Sequence, residues 1–317
     1  MPNLDREHWR GVLLSAILLV LPTLSPGTAW MFFLAPLPVI CLPVVHGSAK
    51  AAQIISQAVL IAGGISLLTG GLPILLLSAS LLPAGLVLAR GLKRREAFYG
   101  SLLQGAVVLA ISWLGIGLLG SVLTHGNLYR ELLDQIDQGL SGAYQTYSKG
   151  PNVSLDVQAE LRAAIDRVRE LIPKILPGLL ATMTVFVVWL NMTLANWLLG
   201  KTESGVTWED SGDGRLPFPL VWVFIVAGSA LFVPGRAGLI GMNLMIVTVT
   251  LYGMQGFDVF NHLCRRWSVP NPIRGLVLFF LVIQAYGFIL LALLGLADVW
   301  AEFRKQGAGG RGQDLMA

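Results

Sequence analysis

Amides, a hydroxyl and a carboxylate lie in or beside otherwise apolar stretches of the sequence from position 191 onward. Polar groups are costly in hydrocarbon unless they have partners, so each of these positions is a candidate site. Such side chains donate and accept hydrogen bonds, which suits a small polar or amphipathic ligand. The candidate ligand-binding residues are Asn191, Asn196, Asn243, Tyr252, Gln255, Asp258 and Gln284.

The same residues have a second interpretation, in which they only hold helices together. Hydrogen bonds between helices in a membrane contribute about 0.6 kcal/mol each on average. For any single residue we favour this structural role, whereas for the group as a whole the two interpretations stay open. Asp258 and Asp298 fall near predicted helix ends, where ions are less costly, so neither is expected to be a buried charge.

The sequence has no pattern typical of catalysis or metal binding. The histidines His8, His46, His125 and His262 show no metal-ligand spacing with cysteine or carboxylate, and H-E-x-x-H and G-x-S-x-G are absent. A G-x-G-x-x-G match at 115–120 lies within an apolar span, where we expect close helix packing and not a dinucleotide site. We therefore predict a protein that is not an enzyme, with no catalytic residues, no metal and no cofactor.

The elements that must position the polar residues are membrane helices. Only 13% of residues are charged, against about 25% in soluble domains, while 55% are hydrophobic and the mean hydropathy is +0.70. Long blocks carry no Asp, Glu, Lys or Arg at all: 11–49, 51–89, 97–129, 175–200, 216–235, 237–257 and 275–297. This composition excludes a soluble enzyme, a disordered chain and a nucleic-acid binder. It predicts an all-α, polytopic helical membrane protein embedded in the lipid bilayer.

The predicted protein has about eight or nine transmembrane segments. Pro and Gly residues at 22–27 divide the first block into short halves near 11–21 and 28–45, which we expect to form a broken or re-entrant helix pair. The other predicted spans are 51–69, 72–90, 97–123, 174–199, 217–233, 238–257 and 275–297.

One long polar insertion at 124–173 interrupts the spans. It contains two amphipathic segments, 127–147 and 154–172, the second with Ser154 as its expected N-cap. The insertion is either an interfacial helix or lid over a cavity, or an ordinary helix packed on the end of the membrane domain. The predicted organisation is therefore N-terminal transmembrane helices (1–123), an extramembrane insertion (124–173), C-terminal transmembrane helices (174–303) and a flexible polar tail (304–317).

Basic residues predict the orientation of the loops. The cluster from Arg90 to Arg95 and the loop from Arg265 to Arg274 are both expected to be cytoplasmic, which directs the insertion outward. The basic tail should also be inside, yet only the span 275–297 separates it from the second basic loop. Either one segment does not fully cross the membrane, or the tail is outside, and both alternatives stay open.

Two patches near the end of the chain resemble a known family. The sequence reads L-Y-G-M-Q-G-F-D-V at 251–259 and L-G-L-A-D-V-W-A-E-F-R at 294–304, with a basic, Pro-containing loop at 265–272 between them. The helix around Asn191 and the entry to the next span at 217–222 are similar as well. These features resemble the YybS-like family of bacterial inner-membrane proteins, domain of unknown function 2232.

This resemblance implies a distant similarity to the substrate-binding subunits of energy-coupling-factor vitamin transporters and to the rod-shape protein MreD. It implies a multi-pass protein of the bacterial inner membrane that binds a small molecule, with an ATPase module supplied in trans by other chains. The alternative function is a non-catalytic scaffold for a cell-envelope assembly, with membrane proteins as partners. The family has no established catalytic residues, and no nucleic-acid partner is expected.

Overall fold

A computed structural model describes residues 2–124, 126–148, 154–202, 205–208 and 216–301, and throughout this part of the chain the regular structure is helical. The predicted polar tail at 304–317 and His125 lie outside the described residues. The α-helices are α1 (Pro2–Leu24), α2 (Pro36–Val45), α3 (Ser48–Thr69), α4 (Leu72–Ala79), α5 (Leu82–Lys93), α6 (Phe98–Thr124), α7 (Leu128–Ser148), α8 (Leu155–Leu199), α9 (Pro219–Ala230), α10 (Arg236–Arg266), α11 (Asn271–Ile283) and α12 (Ala285–Ala301). The protein is thus an all-α polytopic membrane protein, as predicted.

Six helices of the described chain are long and apolar enough to cross a membrane, or up to eight if each of two bent pairs forms one span. The prediction of eight or nine segments therefore agrees with the structure only at the upper end of this range, which is eight spans. The predicted span 217–233 is a helix of only 12 residues, Pro219–Ala230, which is about 18 Å long and shorter than the hydrocarbon core of about 30 Å.

The break predicted in the first block is present, but the first helix is longer than expected. Helix α1 runs through Pro22 and ends at Leu24, with an apolar part from Arg6 that is long enough to be a span. Ser25 then caps a 3-10 helix, Pro26–Leu34, by accepting a hydrogen bond from the backbone N–H of Gly27 at 3.2 Å. This 3-10 helix and α2 form a pair bent by 41°. The short first half was a wrong prediction, because the helix extends back into the polar N-terminal residues.

Helix α8 does not begin at the predicted boundary of 173/174. It is one helix of 45 residues that continues through Pro173 and Pro177. Its first part, up to Ile172, is the amphipathic segment predicted from sequence, and the Ser154 hydroxyl caps it by accepting from the Val157 N–H at 3.3 Å. One helix therefore continues across the predicted boundary, and the division of the chain into an insertion and C-terminal transmembrane helices stays a prediction.

Helix α7 and the first part of α8 form a helical hairpin, here called the arm. Arg169 connects the two helices: its guanidinium donates to Asp137 at 2.6 Å, to Asp166 at 3.2 Å and to Ser141 at 2.8 Å. Ile165 is buried and lines a cavity of about 320 Å³ together with polar side chains of both helices. The predicted amphipathic insertion is therefore an ordered helical pair.

The chain divides into two compact units. One comprises Met1–Ile136 and Met183–Gly214, and the other comprises Asp137–Thr182 and Arg215–Ala317. In the first unit, α1 packs on α3, and α5 packs on both α2 and α6. In the second unit, α10 is the central helix and packs on α9 and α12.

The last predicted span, 275–297, is not a straight helix. Helices α11 and α12 meet at an angle of 107°, and Gln284 lies at the break in an extended conformation with ψ 127°. The pair is either a broken span or a re-entrant loop. The predicted span is therefore bent, and both alternatives for the tail stay open: a re-entrant loop fits a segment that does not fully cross, and a broken span places the tail outside.

Candidate functional site

The closest contact in the second unit is between α10 and α12, and glycines make it possible. A Cβ placed on Gly256 would overlap the Leu291 carbonyl oxygen, and one on Gly295 would overlap the Tyr252 carbonyl oxygen. On the same face of α10, a Cβ on Gly253 would overlap the Phe288 ring. Because small residues let membrane helices approach closely, these glycines bring the polar side chains beside them into contact.

Two buried polar side chains meet at this contact. Gln255 is 1% exposed and Asp298 is 0% exposed. The Gln255 Nε2 donates to Asp298 Oδ2 at 3.2 Å. The Gln255 Oε1 accepts from the backbone N–H of Leu216, also at 3.2 Å, so the amide joins α10, α12 and the chain entering α9.

Tyr252 lies one helical turn before Gln255 and is 1% exposed. Its ring makes an edge-to-face contact with Phe224 at a centroid distance of 5.8 Å. Its hydroxyl has no hydrogen-bond partner among the described residues. An unpartnered buried hydroxyl is costly, by about 1–3 kcal/mol, so this group is a candidate for contact with a ligand. We call Tyr252, Gln255 and Asp298 the polar cluster.

The amide of Asn243 is occupied by backbone groups. Its Oδ1 accepts from the Gly178 N–H at 2.6 Å, and its Nδ2 donates to the carbonyls of Lys174 and Leu239, each at 2.8 Å. Asn243 therefore connects the N-terminal part of α10 to α8. These contacts already use both N–H groups of the amide. The role of Asn243 in ligand binding stays a prediction.

Asn191 and Asn196 lie in the first unit. The Asn191 Nδ2 donates to the Phe33 carbonyl at 2.7 Å and the Val187 carbonyl at 2.8 Å, while its buried Oδ1 has no partner among the described residues. The Asn196 Oδ1 accepts from the Trp208 N–H at 3.0 Å. Both amides thus fix loops or irregular segments onto α8.

The remaining two candidates are less enclosed. Asp258 is half-buried, three residues after Gln255 on α10, and Gln284 is exposed at the break between α11 and α12. Of the seven predicted site residues, the structure therefore brings Tyr252 and Gln255 together at one contact, with Asp258 following on the same helix.

Sequence reasoning missed two features. Asp298 lies near the end of α12, as expected, but it is fully buried, which was not expected. The spacing of three residues between Gly295 and Asp298 is the signal that could have revealed this burial, because both residues then face α10. Trp208 is also buried, at 1% exposure, with its indole N–H donating to Ser101 Oγ at 3.2 Å. No local pattern marks Trp208, since its partners are distant in sequence.

At two of the three glycines of the G-x-G-x-x-G match, the expected helix packing is not found among the described residues. No heavy atom lies within 4 Å of a Cβ built on Gly115 or Gly120, so these positions of α6 face open space. Within the described part of the chain, no three His, Cys, Asp or Glu residues come together to hold a metal ion.

The fold and the apolar helices define an integral, multi-pass membrane protein. The model of the family described as Predicted membrane protein (DUF2232) matches residues 13–299, which is most of the chain, and the chain belongs to this family. Neither the curated proteins nor the solved structures gave a match.

Proposed function

We propose that the protein is a transporter-like, non-enzymatic membrane subunit that binds a small molecule at the polar cluster. In this proposal it acts in the bacterial inner membrane and resembles the substrate-binding subunit of an energy-coupling-factor transporter. An ATPase module supplied by other chains would then provide the energy for any transport.

The observation that carries the proposal is the buried polar cluster itself. Burying an amide, a carboxylate and a hydroxyl among apolar helices costs free energy of folding. Gln255 and Asp298 satisfy part of each other's hydrogen-bonding capacity, but the Tyr252 hydroxyl has no described partner. A polar group of a bound molecule would supply that partner.

The chemistry of the cluster favours binding over catalysis. A carboxamide neither transfers protons nor attacks substrates near neutral pH. The Tyr252 hydroxyl makes no hydrogen bond to the Asp298 carboxylate that could activate it as a nucleophile or acid. The side chains would therefore recognise a ligand by hydrogen bonds in a site that excludes water.

The test is to measure a copurifying small molecule with and without the Tyr252 hydroxyl. The protein is purified from its native host in lipid nanodiscs, and bound small molecules are identified by native mass spectrometry. Tyr252→Phe removes one oxygen and is expected to reduce occupancy at least tenfold. The matched control is Tyr286→Phe, since Tyr286 is 80% exposed on α12. Equal occupancy in both variants, or no bound molecule in the wild type, would reject the proposal.

A second candidate function is a scaffold for a cell-envelope assembly, and the arm favours it. Helix α8 has 45 residues, or about 68 Å, which is more than twice the thickness of the hydrocarbon core. Charged residues cover the arm, with Asp137, Asp166 and Arg169 all at least one-third exposed. Such a surface suits protein partners, including assemblies of the kind that contain the rod-shape protein MreD.

Affinity purification in mild detergent distinguishes the two candidates. Recovery of an ATPase pair with the intact chain supports the transporter-like subunit. Recovery of envelope-synthesis proteins that disappear when the arm is replaced by a short linker supports the scaffold.

A further inference from the structure

Helix α8 contains a site where its own hydrogen-bond ladder is interrupted. Pro173 and Pro177 have no backbone N–H, so neither can donate to the carbonyl four residues earlier. Two interruptions spaced four apart fall on one side of the helix, at the point where the arm joins the apolar part of α8. A helix with this sequence would bend or fray there without outside support.

The Asn243 side chain of α10 supplies that support. In a regular α-helix the Gly178 N–H donates to the Lys174 carbonyl. Here the Gly178 N–H donates to Asn243 Oδ1 at 2.6 Å, and Asn243 Nδ2 donates to the Lys174 carbonyl at 2.8 Å. The amide thus bridges the two backbone groups of one helical hydrogen bond.

Glycine at 178 makes this insertion sterically possible. A Cβ at this position would lie 2.8 Å from Asn243 Oδ1 and 2.9 Å from Asn243 Cα, which is closer than side chains tolerate. The backbones of α8 and α10 are therefore in contact at this point. A movement of one helix would displace the other, because the contact leaves no free space.

We propose that residues 173–178 form a hinge for the arm, and that Asn243 transmits the arm's position to α10. Asn243 and Tyr252 lie on the same uninterrupted helix, about 14 Å apart along its axis. A shift or rotation of α10 that follows the arm reaches the polar cluster at its contact with α12. The regulatory part of this inference rests on the proposed binding function, whereas the hinge itself does not.

The hinge is tested by distance measurements that need no ligand. Spin labels are attached at Glu160 of the arm and Arg236 of α10, both exposed, in a chain whose two cysteines are replaced. Double electron–electron resonance in nanodiscs should give a broad or two-peaked distance distribution. Pro177→Ala restores a backbone donor and should narrow it to one peak. One narrow distance in the wild type, unchanged by Pro177→Ala, would overturn the hinge.

Hydrogen exchange tests the role of Asn243 in a double-mutant cycle. Asn243→Ala should speed exchange of the amides near Gly178 at least tenfold. When Pro177→Ala is also present, the acceleration should be less than threefold, because the N–H of residue 177 can then donate to the Pro173 carbonyl and hold the helix without Asn243. Gln53→Ala, which removes an exposed amide of α3, should leave these rates unchanged. Equal acceleration in both backgrounds would overturn the coupling. Because the readouts are local, the hinge can hold even if Tyr252→Phe shows that the binding proposal fails.

Discussion

Gly256 of α10 and Gly295 of α12 meet backbone to backbone. A Cβ on Gly295 would come within 2.6 Å of the Gly256 nitrogen, and a Cβ on Gly256 within 3.1 Å of the Gly295 nitrogen. On α12 the contact at Gly295 lies three residues before Asp298, and on α10 Gly256 directly follows Gln255. The distance at which the two buried side chains can bond is therefore set by two residues that have no side chain.

Alanine at either glycine should separate the helices. Gly256→Ala and Gly295→Ala both force a methyl group against backbone atoms that cannot rotate away, so each should cost about 1–3 kcal/mol or more. The measurement is thermal unfolding in detergent, followed by circular dichroism. Gly115→Ala is the control, because a Cβ there meets open space. If all three variants melt together with the wild type, the close contact does not exist.

Gln255 should respond differently to loss of its polarity and to gain of charge. Gln255→Leu leaves the Leu216 N–H and an oxygen of Asp298 without their partner, which should cost about 1–3 kcal/mol. Gln255→Glu also loses the donor to Asp298 Oδ2, which lies 3.2 Å from the amide nitrogen in the wild type. It places a second carboxylate beside Asp298, so its loss of folding free energy should be larger than that of Gln255→Leu.

Chemical denaturation in mixed micelles compares the two variants, with Gln53→Leu and Gln53→Glu as exposed controls. A Glu variant at position 255 that is more stable than the Leu variant would contradict the contact with Asp298.

Asn191 is expected to stabilise the irregular segment before α2. Asn191→Leu removes the donor to the Phe33 carbonyl, which belongs to the 3-10 helix Pro26–Leu34. We expect at least tenfold faster hydrogen exchange in that 3-10 helix, with little change in the α10 amides. Uniform acceleration in both regions would mean that Asn191 acts on global stability alone.

The features that sequence predicted are those that depend on local patterns. Apolar blocks revealed the membrane helices, and periodicity revealed the amphipathic segments, because lipid and water sort side chains by polarity along each helix. Ser154 was recognisable as an N-cap since capping involves neighbouring residues, and its bond to the Val157 N–H is present.

The features that sequence did not predict depend on partners far along the chain. Pro173 suggested a helix boundary, but Asn243, about 70 positions later, supports α8 across it. Likewise, the burial of Trp208 depends on Ser101 and Asn196. Periodicity identifies which face of a helix is buried, but not which residue of another helix meets it, so the candidate amides were found while their partners were not.

The bend at Gln284 predicts the side of the membrane on which the C-terminus lies. Helices α11 and α12 have 13 and 17 residues, or about 20 and 26 Å, so neither reaches across a core of about 30 Å by itself. Their angle of 107° turns the chain back. We therefore expect the residues that follow Ala301 to lie on the same side as the basic loop after Arg266, which agrees with the positive charge of both.

Reporter fusions measure this directly. Green fluorescent protein, which is fluorescent only in the cytoplasm, and alkaline phosphatase, which is active only outside it, are each fused after Ser268 and after the last residue. Both positions should give fluorescence and no phosphatase activity. A fusion after Arg130, in the arm, is the control for the opposite side. Opposite signals at Ser268 and the C-terminus would mean that α11 and α12 together form one broken span.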